Sequence, residues 1–111
     1  MAWKKNSPEA IGHFDAHAAL PGAQRGIRFG CPIYTVEGQS YAALHQNRVV
    51  LGLSPKDIAQ LIAEGGRAFE PFKGRPVKDR VVVPEAIVAN ARSLRAWVRK
   101  AAKHTRALAT E

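Results

Sequence analysis

Two apolar runs flank a polar turn in YAALHQNRVVLGL, residues 41–53 of this chain. Each run, at 41–45 and at 48–53, has the length of a strand in a globular protein. Gln46 and Asn47 join the two runs, and asparagine tolerates the positive φ that a tight turn needs. The stretch therefore predicts two antiparallel strands joined by a hairpin turn.

A third strand is predicted before this hairpin. Ile27, Phe29, Cys31 and Ile33 alternate with the residues between them, and a period of two indicates a strand with one buried face. Glu37-Gly38 then supplies a turn. We expect one strand that begins at Ile27, with the Cys31 thiol buried as a small apolar side chain. The three strands form an antiparallel meander.

Helices are predicted on both sides of the meander. Ser7-Pro8-Glu9 combines a capping hydroxyl with proline at the first helical position and an acid in the first turn, and Leu20-Pro21-Gly22 ends this helix. Ser54-Pro55-Lys56-Asp57 repeats the pattern, with Asp57 placed to reach back to the Ser54 amide. Gly65-Gly66 ends the second helix.

Two strands and a helix follow the second helix. Phe69 lies in a short extended stretch, and residues 77–83 end in three valines and predict a strand. Pro84-Glu85 begins a helical turn, and Asn90 caps a final helix over about residues 91–108. The sequence thus predicts one α+β domain over residues 1–111, in which residues 1–6 are free to be disordered. An antiparallel sheet of about five strands packs against helices, in the order α-β-β-β-α-β-β-α.

The charge of the chain is large and uneven. Its 111 residues carry a net charge of +8, and the parts before and after Gly66 carry +1 and +7. Such a surplus favours a polyanionic or acidic partner. The single cysteine excludes an intramolecular disulfide, and no apolar run approaches the ~20 residues that cross a bilayer. Without a signal peptide at its start, the chain is predicted to be soluble and cytoplasmic, with no membrane partner.

The final helix concentrates this charge on one side. At about 100° per residue, five basic residues fall within an arc of about 80°. This basic helix face comprises Arg92, Arg95, Arg99, Lys103 and Arg106. The opposite side is predicted to dock on the sheet through Leu94, Trp97, Val98, Ala101, Thr105 and Leu108. The basic residues repel one another in isolation, and an anionic partner would relieve that repulsion.

A second basic cluster precedes the valines and consists of Lys73, Arg75, Lys78 and Arg80. We predict nucleic-acid or anion binding by the basic helix face together with Lys73, Arg75 and Lys78. Arg75 is suited to bidentate contact with a phosphate or carboxylate, and the structural alternative is an internal ion pair with Glu70 or Asp79. For the helix, the alternative is a solvated face that keeps a small protein soluble.

Several short motifs together resemble those of the TfoX/Sxy N-terminal domain family. They are Phe29-Gly30-Cys31-Pro32-Ile33-Tyr34, Tyr41-Ala42-Ala43-Leu44, Phe69-Glu70-Pro71, Gly74-Arg75-Pro76 and Val81-Val82-Val83-Pro84. Leu20-Pro21-Gly22 is also similar to the related YjbR/MmcQ-like domains. The resemblance covers residues from about 11 to about 108 and implies an antiparallel sheet packed against helices.

In the competence regulators of the TfoX/Sxy family, this domain precedes a second helical domain, and the protein regulates DNA-uptake genes. We expect this chain to be a stand-alone member that lacks the second domain, and therefore do not assign it a competence role. The resemblance brings no catalytic residues with it.

Two further residue pairs are candidates for chemistry. Cys31 and His45 are a thiol and a base, the types that nucleophilic catalysis combines, although packing in a strand explains Cys31 as well. His13 and His17 lie one helical turn apart, as in a two-histidine metal site, but no third ligand and no CxxC, HExxH or EF-hand pattern accompanies them. We therefore expect a surface histidine pair, with no metal, no cofactor and no catalytic residue.

The sequence predicts a non-catalytic binding or regulatory module whose basic face contacts DNA, RNA or a nucleoprotein. One alternative is an interaction module that docks an acidic protein partner. The other is a small-ligand-binding protein or enzyme that joins Cys31, His45 or Arg75 in a concave pocket. The oligomeric state is not specified, and a dimer is compatible with the sequence.

Overall fold

Helices and strands follow one another along the chain in an α+β arrangement, as predicted. The computed structural model describes residues 5–71, 74 and 76–109. Its elements are α1 (Pro8–Ala18), β1 (Gln24–Arg28), β2 (Cys31–Val36), β3 (Gln39–His45), β4 (Arg48–Gly52), α2 (Pro55–Ala63), β5 (Arg67–Ala68), β6 (Arg80–Val82), α3 (Glu85–Val88) and α4 (Ala91–Ala109). Within these residues the six strands form one antiparallel sheet in the order β1-β2-β3-β4-β6-β5.

The predicted first strand is in fact a hairpin. Phe29 (φ 52°) and Gly30 (φ 77°) form a two-residue turn between β1 and β2, and Arg28 pairs with Cys31 across it. Positive φ at both turn positions is typical of a type I′ turn. The apolar residues alternate through the turn in sequence, but the reversal pairs Ile27 with Pro32 and Arg28 with Cys31, so Ile27 and Cys31 lie on opposite faces of the sheet. The period-of-two pattern therefore hides the reversal. The sheet therefore has six strands rather than about five.

The central hairpin forms as predicted and anchors the start of α1. Gln46 (φ 49°) and Asn47 (φ 65°) make the turn between β3 and β4. Asn47 Oδ1 accepts a hydrogen bond from Ser7 N at 2.6 Å, and Asn47 N donates to Asn6 Oδ1 at 2.7 Å. Asn6 Nδ2 in turn donates to Leu44 O at 3.0 Å. Of the segment 1–6, residues 1–4 lie outside the described part of the chain.

The last two strands are shorter than the sequence suggests. The strand expected over 77–83 is reduced to β6, because Asp79 adopts φ 66° in the turn that precedes it. Asp79 O accepts a hydrogen bond from Leu53 N at 3.2 Å, which fixes this turn against the end of β4. The strand expected near Phe69 is the two-residue β5, which ends just before that residue.

One face of the sheet carries the core, covered by α1 and α4. Tyr41 is fully buried, and its hydroxyl donates to Ala18 O at 2.6 Å, which ties β3 to the end of α1. Burial raises the pKa of Tyr41 to about 12. The docking side of α4 is buried as predicted from Leu94 to Thr105. Leu108 is an exception at 47% exposure, because the last turn borders only a shallow cleft.

Side-chain caps begin the helices where the sequence places them. Ser7 Oγ accepts from Ala10 N, and Asn90 Oδ1 accepts from Ser93 N at the start of α4. In α2, Ser54 Oγ accepts from Asp57 N at 3.3 Å. The Asp57 carboxylate lies 3.9 Å from Lys100 Nζ, so it links α2 to α4.

Candidate functional site

The face of the sheet opposite α1 and α4 carries a second row of side chains. Directly paired residues on neighbouring antiparallel strands point to the same face. The strand register places four apolar residues in this row: Ile33 in β2, Ala43 in β3, Val50 in β4 and Val82 in β6. Polar side chains flank this row on either side along the strands, because His45 pairs with Arg48 two residues before Val50 and Arg80 pairs with Gly52 two residues after it.

A cavity of about 480 Å³, here called the sheet pocket, lies over Ile33, Ala43 and Val50 of this row. Phe69, Pro71 and Val77 line it from the segment between β5 and β6, and Phe29 lines it from the hairpin turn. Val77 N donates to Phe69 O at 2.8 Å and so brings the two ends of that segment together. A mainly apolar concavity of this size is typical of small-molecule sites.

Cys31 and His45 meet at one end of the sheet pocket. Cys31 Sγ lies 3.9 Å from His45 Nδ1, and the His45 ring packs edge-on against Phe69 with 5.1 Å between centroids. Burial raises the pKa of Cys31 and lowers the pKa of His45. Both shifts favour a neutral thiol beside a neutral imidazole, whereas a cysteine nucleophile acts as the thiolate.

The position of Cys31 corrects the sequence analysis. Cys31 was expected in the core, but it is only half-buried because it lies on the pocket face of β2. The turn at Phe29 and Gly30 also leaves the Phe29 side chain 84% exposed at the hairpin tip. The structure thus brings together two of the three residues named for a small-ligand site, Cys31 and His45. The third, Arg75, lies outside the described residues.

Arg80 lies at another part of the sheet pocket and is half-buried. Its Nη2 donates to Ser40 O at 3.0 Å and its Nη1 to Asp79 O at 3.4 Å. Burial lowers the pKa of Arg80, the charge of Asp79 opposes that shift, and the charge of Arg28 adds to it. A guanidinium nevertheless keeps its proton in proteins. Within the described part of the chain, no carboxylate forms an ion pair with Arg80.

This role of Arg80 was not predicted from the sequence. Arg80 was predicted to belong to a basic cluster beside Lys78, and no local pattern indicated that its side chain turns inward over the sheet. Gly52 is the one signal that accompanies it, because a glycine in a strand often marks a close approach by another group. A Cβ built at Gly52 would overlap Arg80 Nη1.

The basic helix face is exposed along its whole length. Arg92, Arg95, Arg99, Lys103 and Arg106 are all solvent-exposed in the structure. Among the described residues, the ion pairs are Arg25–Asp15, Arg48–Glu85 and Lys100–Asp57, and none of them includes a member of this face. α4 itself contains no acidic residue. The five cations therefore face solvent without a neutralising carboxylate in the described part of the chain.

Lys100 differs from the basic helix face although it belongs to the same helix. Its ammonium group lies 4.6 Å from the Trp97 ring centroid and 3.9 Å from Asp57 Oδ1. About 100° of helix separates Lys100 from Arg99. Lys100 is thus engaged with neighbouring side chains, while Arg99 is not paired within the described residues.

The second basic cluster is only partly described. Lys73 and Arg75 lie outside the described residues, and Lys78 is exposed in the turn before β6. Arg80, two residues further on, borders a cleft shared with Thr105 and Leu108 in the last turns of α4. The segment that carries Lys78 therefore comes close to the C-terminal end of the basic helix face.

The histidine pair of α1 is used in hydrogen bonds. His13 Nε2 lies 2.7 Å from Val88 O, and His17 Nδ1 lies 2.8 Å from His13 O. A carbonyl can only accept, so each of these nitrogens carries its proton and cannot bind a metal in that state. Both histidines are half-buried rather than fully on the surface. Of the residues that the structure describes, no three His, Cys, Asp or Glu side chains group as a metal site.

Comparisons with known proteins leave the family open. The chain matches no protein-family model, and no curated protein matches it significantly. The resemblance to the TfoX/Sxy N-terminal domain therefore stays a prediction. As for membranes, no helix within the described residues is long and apolar enough to cross a bilayer.

Proposed function

We propose that this protein is a non-catalytic binding module that contacts nucleic-acid phosphates through the basic helix face. The observation that carries the proposal is the exposure of five cations on one side of α4, with no ion-pairing carboxylate among the described residues. From Arg92 to Arg106 the face extends about 21 Å at 1.5 Å per residue. That length is enough to follow several phosphates of one duplex.

The local cost of this arrangement supports a binding role. Like charges three or four residues apart on a helix each destabilise it by a few tenths of a kcal/mol. Arg92 stands in the first turn of α4, where the helix dipole disfavours a cation. An anionic backbone along the face would remove both costs at once. Counterion release adds a favourable term that grows with each phosphate neutralised.

The composition of the face favours a nucleic acid over an acidic protein. Protein interfaces are usually centred on buried aromatic or aliphatic anchors and are depleted in charge at the core. The basic helix face offers no large apolar side chain among its five cations, and the exposed Leu108 lies beyond Arg106 at the helix end. Phosphate contacts need no such anchor, and they are expected to be tolerant of sequence.

Fluorescence anisotropy of a labelled random DNA duplex tests this proposal. If binding neutralises five phosphates, raising the salt concentration from ~50 to ~200 mM should weaken the affinity about 500-fold. This corresponds to a slope of about −4.5 in log K against log salt. Replacing Arg92, Arg95 and Arg99 by alanine should reduce the slope to about −1.8. A single-stranded RNA of equal length serves as a second probe.

A matched triple variant controls for net charge. Alanine at Lys5, Lys56 and Arg67 lowers the charge from +8 by the same three units but removes exposed cations from other parts of the protein. This variant should keep a slope near −4.5. If both triple variants weaken binding equally, the basic helix face is not the binding surface. If the wild type does not bind the duplex at the lower salt, nucleic-acid binding is refuted. The basic helix face would then be better explained as a docking surface for an acidic protein, and charge reversal at Arg95 and Arg99 should abolish capture of that protein.

The remaining expectations from the sequence belong to the same proposal. A stand-alone TfoX N-terminal-like domain in the cytoplasm, with a part in transcription regulation, is consistent with a basic, non-catalytic module. The neutral state favoured for Cys31 and His45 supports the absence of thiol catalysis. Purified protein that nicked, ligated or modified the duplex probe would contradict this part of the proposal.

A further inference from the structure

The sheet pocket has a chemical character distinct from that of the basic helix face. Its floor is apolar, with Ile33, Ala43 and Val50 contributed by three adjacent strands. Phe69 and Val77 form an apolar wall above the floor. The pocket floor lies on the face of the sheet opposite α4, whereas Arg80, at the edge of the pocket, also borders a cleft beside Thr105 and Leu108 of α4. None of the five cations of the basic helix face lines either the pocket or this cleft.

The positively charged side chain of Arg80 lies at the edge of this apolar pocket. Arg80 is half-buried at the pocket, and two of its five N–H donors are used by the carbonyl oxygens of Ser40 and Asp79. Three donors remain, while the described residues supply no ion-pairing carboxylate. The charge of Arg28, which also lines the pocket, acts on Arg80 and increases the positive potential there. A buried charge is stabilised when it is paired, so an anion from outside would complete the site.

The shape and polarity select the kind of anion. The pocket of about 480 Å³ has room for roughly sixteen water-sized groups of about 30 Å³ each. The apolar floor and wall suit a hydrocarbon body, whereas a nucleotide would bring a polar sugar and several phosphates to them. A bidentate contact with one carboxylate needs two N–H donors, and Arg80 has three that remain.

We propose that the sheet pocket binds a small monocarboxylate with an aromatic or aliphatic body, the carboxylate on Arg80 and the body between the sheet and Phe69. Cys31 and His45 close one end of the pocket as neutral side chains and do not react with the ligand. This ligand site does not depend on nucleic-acid binding by α4. Either proposal can fail without the other.

Naphthalene-2-carboxylate is a suitable probe, and its uncharged amide is the matched control ligand. Binding is followed by ¹H–¹⁵N chemical-shift titration of the full chain. A ligand of this size should bind with a Kd of about 0.1–1 mM. The largest shifts are expected at Ala43, Val50 and Phe69, with little change on α4. The carboxylate should bind about tenfold or more tightly than the amide, because only the carboxylate makes charge-assisted hydrogen bonds to Arg80.

Two variants separate the charge from the cavity. Arg80→Gln should abolish the preference for the carboxylate and leave amide binding nearly unchanged. Ala43→Leu adds volume to the pocket floor and should weaken both ligands, so it tests the location even if Arg80→Gln does not fold. Arg95→Gln, on the basic helix face, removes the same charge at a remote site and should leave both affinities unchanged.

Several results would overturn the proposal. These are equal binding of the carboxylate and the amide, a preference for the carboxylate that survives in Arg80→Gln, shifts centred on α4, or no binding of the carboxylate to the wild type. A duplex DNA added to the carboxylate complex should not displace it. Displacement by DNA would place both anions on one surface and contradict separate sites.

Discussion

The guanidinium of Arg80 lies directly over the backbone of Gly52, its partner across the β4–β6 pair. A Cβ at position 52 would overlap Arg80 Nη1, so the missing side chain of Gly52 is what allows the Nη1 end of Arg80 to approach the sheet here. This relationship fixes where the cation of the sheet pocket sits. It also makes a glycine, which has no chemistry of its own, a determinant of the site.

Gly52→Ala should therefore change the site more than the stability. The clashing atom is the far end of a flexible side chain, so Arg80 can move aside at the loss of its two hydrogen bonds, each worth about 1 kcal/mol. Alanine in a strand recovers about 0.5–1 kcal/mol relative to glycine. The free energy of unfolding, measured with urea, should fall by about 1–1.5 kcal/mol, while the carboxylate preference of the pocket is lost.

Gly66→Ala provides the contrast. A Cβ at Gly66 would lie 2.8 Å from both Leu61 O and Val82 O, which are backbone atoms of α2's last turn and of β6. Backbone cannot move aside as a side chain can, so the overlap should destabilise the protein by about 1–3 kcal/mol. Equal urea midpoints for the two glycine variants would show that this difference in neighbours has no consequence.

The turn of the central hairpin gives a second stability prediction. Asn47 combines a positive φ with two hydrogen bonds to the segment before α1. Asn47→Gly keeps the backbone conformation but loses the bond that the side chain accepts from Ser7, and should cost about 1 kcal/mol. Asn47→Ala adds the strain of a left-handed alanine and should cost about 2 kcal/mol. Thermal unfolding that ranks alanine above glycine would contradict this account.

The sequence could predict features that depend on local chemistry. Ser54 and Asn90 cap their helices because their side chains reach backbone amides three residues ahead. The buried and basic sides of α4 follow from helical periodicity alone, and the structure leaves each predicted cation of the basic helix face exposed. Leu108 lies on the predicted side of α4 but is exposed, because periodicity does not indicate where the covering sheet ends.

The sheet pocket could not be predicted because it depends on strand order. Phe69 reaches His45 only because β6 and β5 are placed beside β4, a non-local pairing that no stretch of sequence specifies. The position of Cys31 was equally hidden in the sequence, because the reversal at Phe29 and Gly30 sets the face of the sheet on which the thiol lies. Cys31 and His45 were therefore recognised as residue types, but not as neighbours in an apolar cavity.

The protonation of His45 gives a prediction about acid stability. Burial lowers the pKa of His45 from its ordinary value of 6.5, because the imidazolium is poorly hydrated beside the pocket. On acidification the unfolded chain therefore takes up this proton before the folded protein does. The contribution to stability is complete above the unfolded pKa, and it is lost as the pH falls from about 6.5 through the folded value.

Urea unfolding at about pH 7.5 and about pH 5.5 measures this effect. In the wild type, the urea midpoint should be lower at the acidic pH than at the higher pH. In His45→Gln, this difference between the two midpoints should be smaller. His17→Gln removes a histidine from α1, on the other side of the sheet, and serves as the control. A pH dependence that is the same in His45→Gln as in the wild type would refute a contribution from His45.

The last prediction sets stability against binding at Arg92. This residue is the second of α4, in a first turn without acidic residues, and Arg95 lies one turn ahead of it. Arg92→Glu reverses an unfavourable interaction with the helix dipole and turns a repulsion with Arg95 into an attraction. Together these should raise the free energy of unfolding by about 0.5–1.5 kcal/mol. The same change should weaken duplex binding and reduce its salt dependence.

Lys56→Glu is a matched control, because Lys56 is likewise the second residue of a helix, α2, and the charge change is the same. It should gain a similar dipole contribution but leave duplex binding nearly unchanged. Stability is measured by thermal unfolding and binding by anisotropy on the same preparations. If Arg92→Glu is more stable and binds DNA as well as the wild type does, Arg92 has no part in a phosphate-contacting surface. If Arg92 contacts phosphate, Arg92→Glu should be more stable and bind the duplex more weakly than the wild type, whereas Lys56→Glu should gain stability without losing binding.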